Sequence, residues 1–223
     1  MRIAIATVAR TEDLTDSWQK FNTEQDKILK PYNTFERFCL LDKPIAQARQ
    51  EITETIIASK KFTHILFIDS DTFVTAEQIL YLADKIEELD VLCYPVYLKQ
   101  MPLISNIYID MMYMPLSKLP RGMFKIELTG LAACIIDLNV FKKIEKPWYK
   151  GSWKLRSGVI DFHLKAGEDT AFFYKLKKEG IDVYCDPKYI PSHWDRHSDV
   201  YYPDEITNKE RCYYGQKKRI TSR

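Results

Sequence analysis

Glycine is scarce, with seven residues in a chain of 223, and none falls in Thr7-Val8-Ala9-Arg10-Thr11, the segment after the first apolar run. A glycine-rich phosphate loop behind a first strand is therefore missing. An excess of one charge is missing too. Lys and Arg number 33 against 31 Asp and Glu, a formal net charge of +2, which argues against a dedicated nucleic-acid binder. The five cysteines (Cys39, Cys93, Cys134, Cys185 and Cys212) are scattered and odd in number, with no CxxC or Cys/His pairing at zinc spacing. They read as reduced, buried thiols of a cytosolic chain. No apolar run approaches a membrane span. The N-terminal run Met1 to Val8 is too short for a secretory signal, so a cytoplasmic location is expected. Repeats and low-complexity segments are absent.

What is present is enough apolar residue, 46% of the chain, to build a core in one domain. The chain is organised around His64-Ile65-Leu66-Phe67-Ile68-Asp69-Ser70-Asp71-Thr72-Phe73. The apolar run predicts a strand buried on both faces. It stops at two carboxylates spaced i, i+2, and Thr75 with Gln78 then predicts a capping box opening a helix. In open α/β sheets, ligands bind beyond the carboxyl ends of the strands. Two acids there repel each other unless a cation joins them, and Mg²⁺ or Mn²⁺ suits oxygen ligands while keeping positions open for phosphate oxygens.

Before this stretch, Ile3 to Val8 reads as a strand, Asp16 to Leu29 as a helix with Trp18, Phe21 and Ile28 inward, and Phe35 to Leu41 as a second strand. Ile45, Ala48, Ile52 and Ile56 recur at helical spacing over residues 45 to 59. After it, Ile79, Leu82, Ala83, Ile86 and Leu89 predict another amphipathic helix, and Asp90 to Val96 a strand. Strand and helix thus alternate over residues 1 to 96, the pattern of a mostly parallel, doubly wound sheet. From Leu98 to Phe124 the rhythm breaks at Pro102, Pro115 and Pro120, and a strand plus a long loop is expected. Lys125 to Leu128 and Leu131 to Ile136 read as strands, Asn139 to Ile144 as a short helix, and Trp148 to Lys165 as a binding loop or lid. Glu168 to Glu179 reads as a helix with Phe172, Phe173 and Leu176 inward and Gly180 as its left-handed cap. Ile181 to Cys185 is a last strand, and the chain ends in a basic tail.

Four stretches carry a resemblance to the nucleotide-sugar-dependent glycosyltransferases of the GT-A fold. Ile45-Ala46-Gln47-Ala48-Arg49-Gln50 resembles that family's Ala-Arg-Asn helix, with Gln50 where relatives usually have Asn. Phe67-Ile68-Asp69-Ser70-Asp71 resembles its DxD motif. Leu128-Thr129-Gly130-Leu131-Ala132-Ala133-Cys134, followed by Asn139-Val140-Phe141, resembles its acceptor-side strand. Gly167-Glu168-Asp169-Thr170-Ala171-Phe172 and the later His193 resemble its catalytic Glu-Asp pair and metal-binding His. The likeness spans residues 3 to 195. It implies an α/β fold of GT-A (Rossmann-like) type: a mostly parallel central sheet with helices on both faces in a single domain over 1 to 215. Residues 1 to 96 would form a nucleotide-binding half, 97 to 195 an acceptor-binding half, and 216 to 223 the basic tail.

The resemblance also implies roles. Asp71 holds Mn²⁺ or Mg²⁺ directly, with His193 as a further ligand and His197 as its weaker substitute. Asp69 contacts the donor ribose or the metal and its water, beside Ser70. Thr7, Val8, Ala9 and Arg10 line the nucleotide, with Arg10 and Arg49 as phosphate-binding candidates. Gly130 lets the backbone approach the sugar. Asp169 is the general base of an inverting transfer, and Glu168 is the alternative base or an acceptor-hydroxyl ligand. Read without the resemblance, the same acids simply stabilise helix N-termini and the arginines are solvated surface charges. Trp148 and Trp153 either stack on a sugar or fill a core. The expected activity is a glycosyltransferase, a hexosyltransferase in particular, taking a nucleotide-sugar donor and a glycan, lipid-linked or protein acceptor. The tail Lys217-Lys218-Arg219 either docks on an anionic membrane or is solvated. The rival readings are a nucleotidyltransferase, a DxD phosphatase with Asp69 as nucleophile, and a binding module that has kept the scaffold.

Overall fold

A computed structural model of the chain describes residues 1–99, 104–109, 112–115, 118–150, 153–157, 160–164, 167–195 and 200–202. The first part alternates as the periodicity predicts: β1 (Ile3–Ala9), α1 (Asp16–Leu29), β2 (Phe35–Leu41), α2 (Ile45–Ser59), β3 (His64–Ile68), the short β4 (Thr72–Phe73), α3 (Ala76–Lys85) and β5 (Val91–Cys93). The hairpin β6 (Ile104–Ile109) and β7 (Met112–Pro115) follows, then β8 (Phe124–Ile126), β9 (Ala133–Asp137) and α4 (Val140–Lys143). The rest is β10 (Trp153–Ser157), β11 (Ile160–Leu164), α5 (Glu168–Lys178), β12 (Val183–Cys185), β13 (Ser192–Asp195) and β14 (Val200–Tyr202).

Seven strands form the central sheet in the order β2-β1-β3-β9-β5-β12-β8. β1 is parallel to β2 and β3, and β12 is parallel to β5. β9 lies antiparallel between β3 and β5, and β8 runs antiparallel at the edge. Side chains alternate across each strand, so Ala4, Ala6, Ile65 and Phe67 enter one core while Ile3, Ile5, Leu66 and Ile68 enter the other. α2 and α5 cover the first core through Ile52, Ile56, Phe172 and Phe173, and α3 covers the second through Ile79 and Leu82. This is the mostly parallel α/β sheet with helices on both faces that the GT-A resemblance implies. No helix among the described residues is long and apolar enough to cross a membrane.

Four sequence expectations about the fold need correction, the first being that every cysteine is buried, since Cys39 of β2 is exposed. Ile28 of α1 is 56% exposed. The inward face is Asn22, Gln25 and Leu29, because the Gln25 amide reaches in to the Val74 carbonyl and accepts from Arg37, while Phe21 meets Phe73 edge-on. Ile45 opens α2 on its outer side and is exposed. The expected loop from Trp148 to Lys165 contains an antiparallel pair, β10 with β11, in register from Trp153↔Leu164 to Ser157↔Ile160. Apolar residues at every second position (Trp153, Leu155, Ile160, Phe162) carried that signal.

The capping box at α3 forms as expected. The Thr75 hydroxyl accepts from the Gln78 amide at 3.3 Å, and the Gln78 side chain accepts from the Thr75 amide at 2.8 Å. Thr75→Ala is expected to cost about 1 kcal/mol of stability, read as a lower urea midpoint at unchanged m-value.

Candidate active site

The turn that follows β3 is closed by the Thr72 amide donating to the Asp69 carbonyl at 3.0 Å. Its acids face the end of β1. Val8, Ala9, Arg10 and Asp13 on one side, Lys43, Pro44 and Ile45 on another, and Asp69, Ser70 and Asp71 at the back line a cleft of about 410 Å³. The loops after β1 and β2 are tied together by Asp42. Its carboxylate accepts from the Thr11 amide at 2.8 Å and the Thr11 hydroxyl at 2.6 Å, and its amide donates to Ala9. Those bonds hold the Asp42 carboxyl below its ordinary range. The exposed Ile45, with Pro44, gives this wall an apolar face. Thr7 is buried within β1 and is not part of the lining.

Arg49 does not line the cleft; it lies behind it, 1% exposed. Its guanidinium donates from Nη2 to Asp69 Oδ1 and from Nη1 to Glu168 Oε1, each at 2.8 Å. Burial works to lower the Arg49 pKa, and the carboxylates of Asp69, Glu168 and Asp169 outweigh it and raise it. Burial also raises both Asp69 and Glu168, with Arg49 opposing. The arginine read from sequence as a phosphate ligand thus joins α2, the acidic turn and the start of α5 through its two terminal nitrogens, while its buried Nε has no partner among the described residues. Gln50, the departure from the family pattern, accepts from the Trp148 amide at 3.0 Å and donates to Glu54 at 2.8 Å.

Asp71 is met from three sides. β13 pairs with β4, placing His193 opposite Thr72, and the Trp194 amide donates to the Asp71 carbonyl at 2.7 Å. His193 Nε2 lies 3.4 Å from Asp71 Oδ1, and the Lys99 ammonium lies 2.5 Å from Oδ2. Burial tends to raise the Asp71 pKa, but His193 and Lys99 together hold it well below the ordinary carboxylate range. His193 Nδ1 faces the Tyr97 carbonyl at 2.5 Å. In the neutral ring that contact puts the proton on Nδ1 and turns the Nε2 lone pair toward Asp71. The same Nε2 donates to Asp71 when the ring is protonated, as in the ion pair that lowers the Asp71 pKa, and is free to ligate a cation when it is not.

A carboxylate oxygen and a ring nitrogen together suit Mn²⁺, with phosphate oxygens and water completing the shell, so the residues fit such an ion. Among the described residues no larger group of three His, Cys, Asp or Glu side chains is assembled for a metal. Sequence reasoning missed Tyr97 and Lys99. Nothing local marks them, because their partners lie far away in the chain.

Across from this pair, Gly167 leads into α5 and sets Glu168 and Asp169 in its first turn. Asp169 Oδ1 accepts from the Thr170 amide at 2.7 Å. Gly130 comes so close that a Cβ there would lie 3.4 Å from Asp169 Oδ2 and 3.1 Å from the Asn106 amide nitrogen. A Cβ on Gly167 would lie 2.9 Å from Asp169 Oδ1, closer than real contacts allow. Asn106 is a further missed residue. Its side-chain Oδ1 accepts from the Val96 amide at 2.9 Å, which sets the side chain beside Gly130. Trp148 is buried against Phe141, with ring centroids 4.8 Å apart, so it fills a core rather than facing a ligand. The Trp153 side chain, His197 and the tail Lys217-Lys218-Arg219 lie outside what the structure describes.

No protein-family model and no curated protein matches the chain. Among solved structures it is similar to A197 from STIV, with a TM-score of 0.61 and 17% identity over 90% of this chain and 93% of that one; the two share a fold. Looser matches include S. aureus TarS 1-349 in complex with UDP (TM-score 0.46, 12% identity, 86% of this chain and 59% of that one). Another is a glycosyltransferase involved in glycosylation of the major capsid of PBCV-1 (TM-score 0.39, 12% identity, 67% of this chain and 71% of that one).

Removing Arg49 strands two carboxylates that are mostly shielded from water. Arg49→Met is expected to destabilise the fold by about 3 kcal/mol, the scale for breaking a buried ion pair from one side. Equilibrium urea unfolding reads the loss.

Proposed function

We propose that the chain is a metal-dependent glycosyltransferase that moves a sugar, a hexose in particular, from a nucleoside-diphosphate donor to a hydroxyl acceptor. The observation that carries this reading is the convergence of two acidic centres on one edge of the sheet: Asp71 with His193 at the cleft beyond β1 and β3, and Asp169 beside Gly130.

Each residue then has a task. Val8, Ala9, Arg10 and the Pro44-Ile45 wall receive the nucleoside, and Asp69 and Ser70 meet its ribose. Asp71 and His193 hold Mn²⁺ or Mg²⁺, which when bound supplies Lewis-acid neutralisation of the diphosphate. Asp169 takes the proton of the acceptor hydroxyl as that oxygen attacks the anomeric carbon and the bond to the diphosphate breaks. A base on the face opposite the leaving group makes the transfer inverting, through an oxocarbenium-like transition state. Glu168 is the poorer base because its Oε1 is committed to Arg49. It positions the turn instead.

The donor is identified by a thermal-shift panel of UDP, GDP, ADP, CMP and dTDP sugars with and without Mn²⁺, since binding to the native state raises the melting temperature. One base is expected to stand out, with Mn²⁺ strengthening it. Asp71→Ala is expected to lose that Mn²⁺-dependent shift along with transfer; a panel flat for every nucleotide sugar refutes the reading. Asp169→Asn is expected to keep the donor shift and lose turnover by about 10²-fold or more. Gly167→Ala is expected to do the same by displacing the Asp169 carboxylate, at near-unchanged melting temperature. Wild-type rates in either variant remove Asp169 from the chemistry.

A further inference from the structure

We propose that Lys99 is a phosphate-binding residue held in reserve by Asp71. Without ligand it is the counter-ion of Asp71, and when Asp71 takes a divalent cation the ammonium passes to the donor's diphosphate. The proposal rests on the glycosyltransferase reading above and deepens it, because it assigns the leaving group a cation that the chain itself carries.

The two oxygens of Asp71 are divided between partners of different kinds. Oδ1 faces His193 Nε2 at 3.4 Å, on the side where a metal fits, and Oδ2 holds Lys99 at 2.5 Å. A cation seated on Oδ1 draws charge from the whole carboxylate and weakens its hold on the ammonium. Lys99 can respond. Its side chain is 29% exposed, and lysine is a compact charge on a flexible four-carbon stem. Its backbone, by contrast, is anchored. The neighbouring Leu98 amide donates to the Ile104 carbonyl at 2.8 Å, and Tyr97 bridges to Ser105. The same short segment presents the Tyr97 carbonyl to His193, so both partners of Asp71 are set from one place.

The other cations near the site are differently employed. Arg49 is buried on Asp69 and Glu168, Lys43 lies 2.5 Å from Glu51, and Arg10 lies 3.4 Å from Glu12 on the nucleoside side. Lys99 alone among these is paired to the acid that the metal claims.

The test separates this role from a purely structural one by the opposite signs it predicts. Mn²⁺ binding alone is measured by electron paramagnetic resonance of the free ion. UDP, GDP, ADP and dTDP are then titrated at saturating Mn²⁺ by calorimetry. Lys99→Met frees Asp71, so Mn²⁺ alone is expected to bind about fivefold more tightly, the scale of one part-exposed ion pair. The nucleoside diphosphate that binds wild type is expected to bind about tenfold or more weakly, the scale of a lost charge-assisted hydrogen bond. Lys99→Arg, which keeps the charge, is expected to recover part of that loss. Mn²⁺ affinity that is unchanged or lower in Lys99→Met overturns the proposal, as does nucleotide affinity that does not fall. A wild-type protein that binds none of the four diphosphates with Mn²⁺ refutes the glycosyltransferase reading itself, and the role of Lys99 falls with it.

Discussion

The buried guanidinium of Arg49 is the interaction on which the rest of the site depends. Its two arms reach acids 20 and 119 residues away, Asp69 at the end of β3 and Glu168 at the start of α5. Those acids belong to turns that would otherwise repel each other, since Asp71 and Asp169 sit beside them. One planar cation, offering separate donors in fixed directions, satisfies both at once. Lysine, a single point of charge, could not bridge them in that way. The cost of desolvating Arg49 is met by carboxylates that are themselves shielded, and Arg49 in turn opposes the rise in pKa that burial gives Asp69 and Glu168.

Around this joint, the two centres divide along lines drawn by the sheet. β1 and β3 are parallel neighbours, so their carboxyl ends and the loops beyond them open on one edge. The two-residue strand β4 then recruits β13, and with it His193, across the acidic turn. β9 contributes differently, because it runs antiparallel to both of its neighbours. Its entry loop carries Thr129, Gly130 and Leu131 to the same edge, where Gly130 meets Asp169 and Asn106.

The first half of this architecture was legible because it obeys local rules. The period of Ala48, Ile52 and Ile56 marks α2, the unbroken apolar run marks β3, and Thr75 with Gln78 marks the start of α3. The acids that gather at this edge could be placed from sequence too, because two acids closing an apolar run and Glu-Asp at a helix start are local patterns. Less legible were features decided by distant partners. Asn22 and Gln25 look like solvent residues, yet they are buried, with Gln25 satisfying the Val74 carbonyl. Arg49 looks like a ligand for phosphate until its two acids are brought beside it. Lys99 sits in a stretch broken by prolines and without period, and its meaning comes from Asp71, to which no spacing rule connects it.

The reversed direction of β9 has a consequence for how such a chain can diversify. β5 ends and β9 begins at neighbouring positions, Cys93 opposite Cys134, so the segment between them departs from and returns to one rim of the sheet. Apart from β8, which belongs to the sheet, and Tyr97, Lys99 and Asn106, which are tied to the site, the segment can be exchanged without rethreading the strands beneath it. The surface facing Asp169 is therefore a cassette, free to be rebuilt for new chemical company while the opposite wall, built from β1, β2 and β3, keeps its shape.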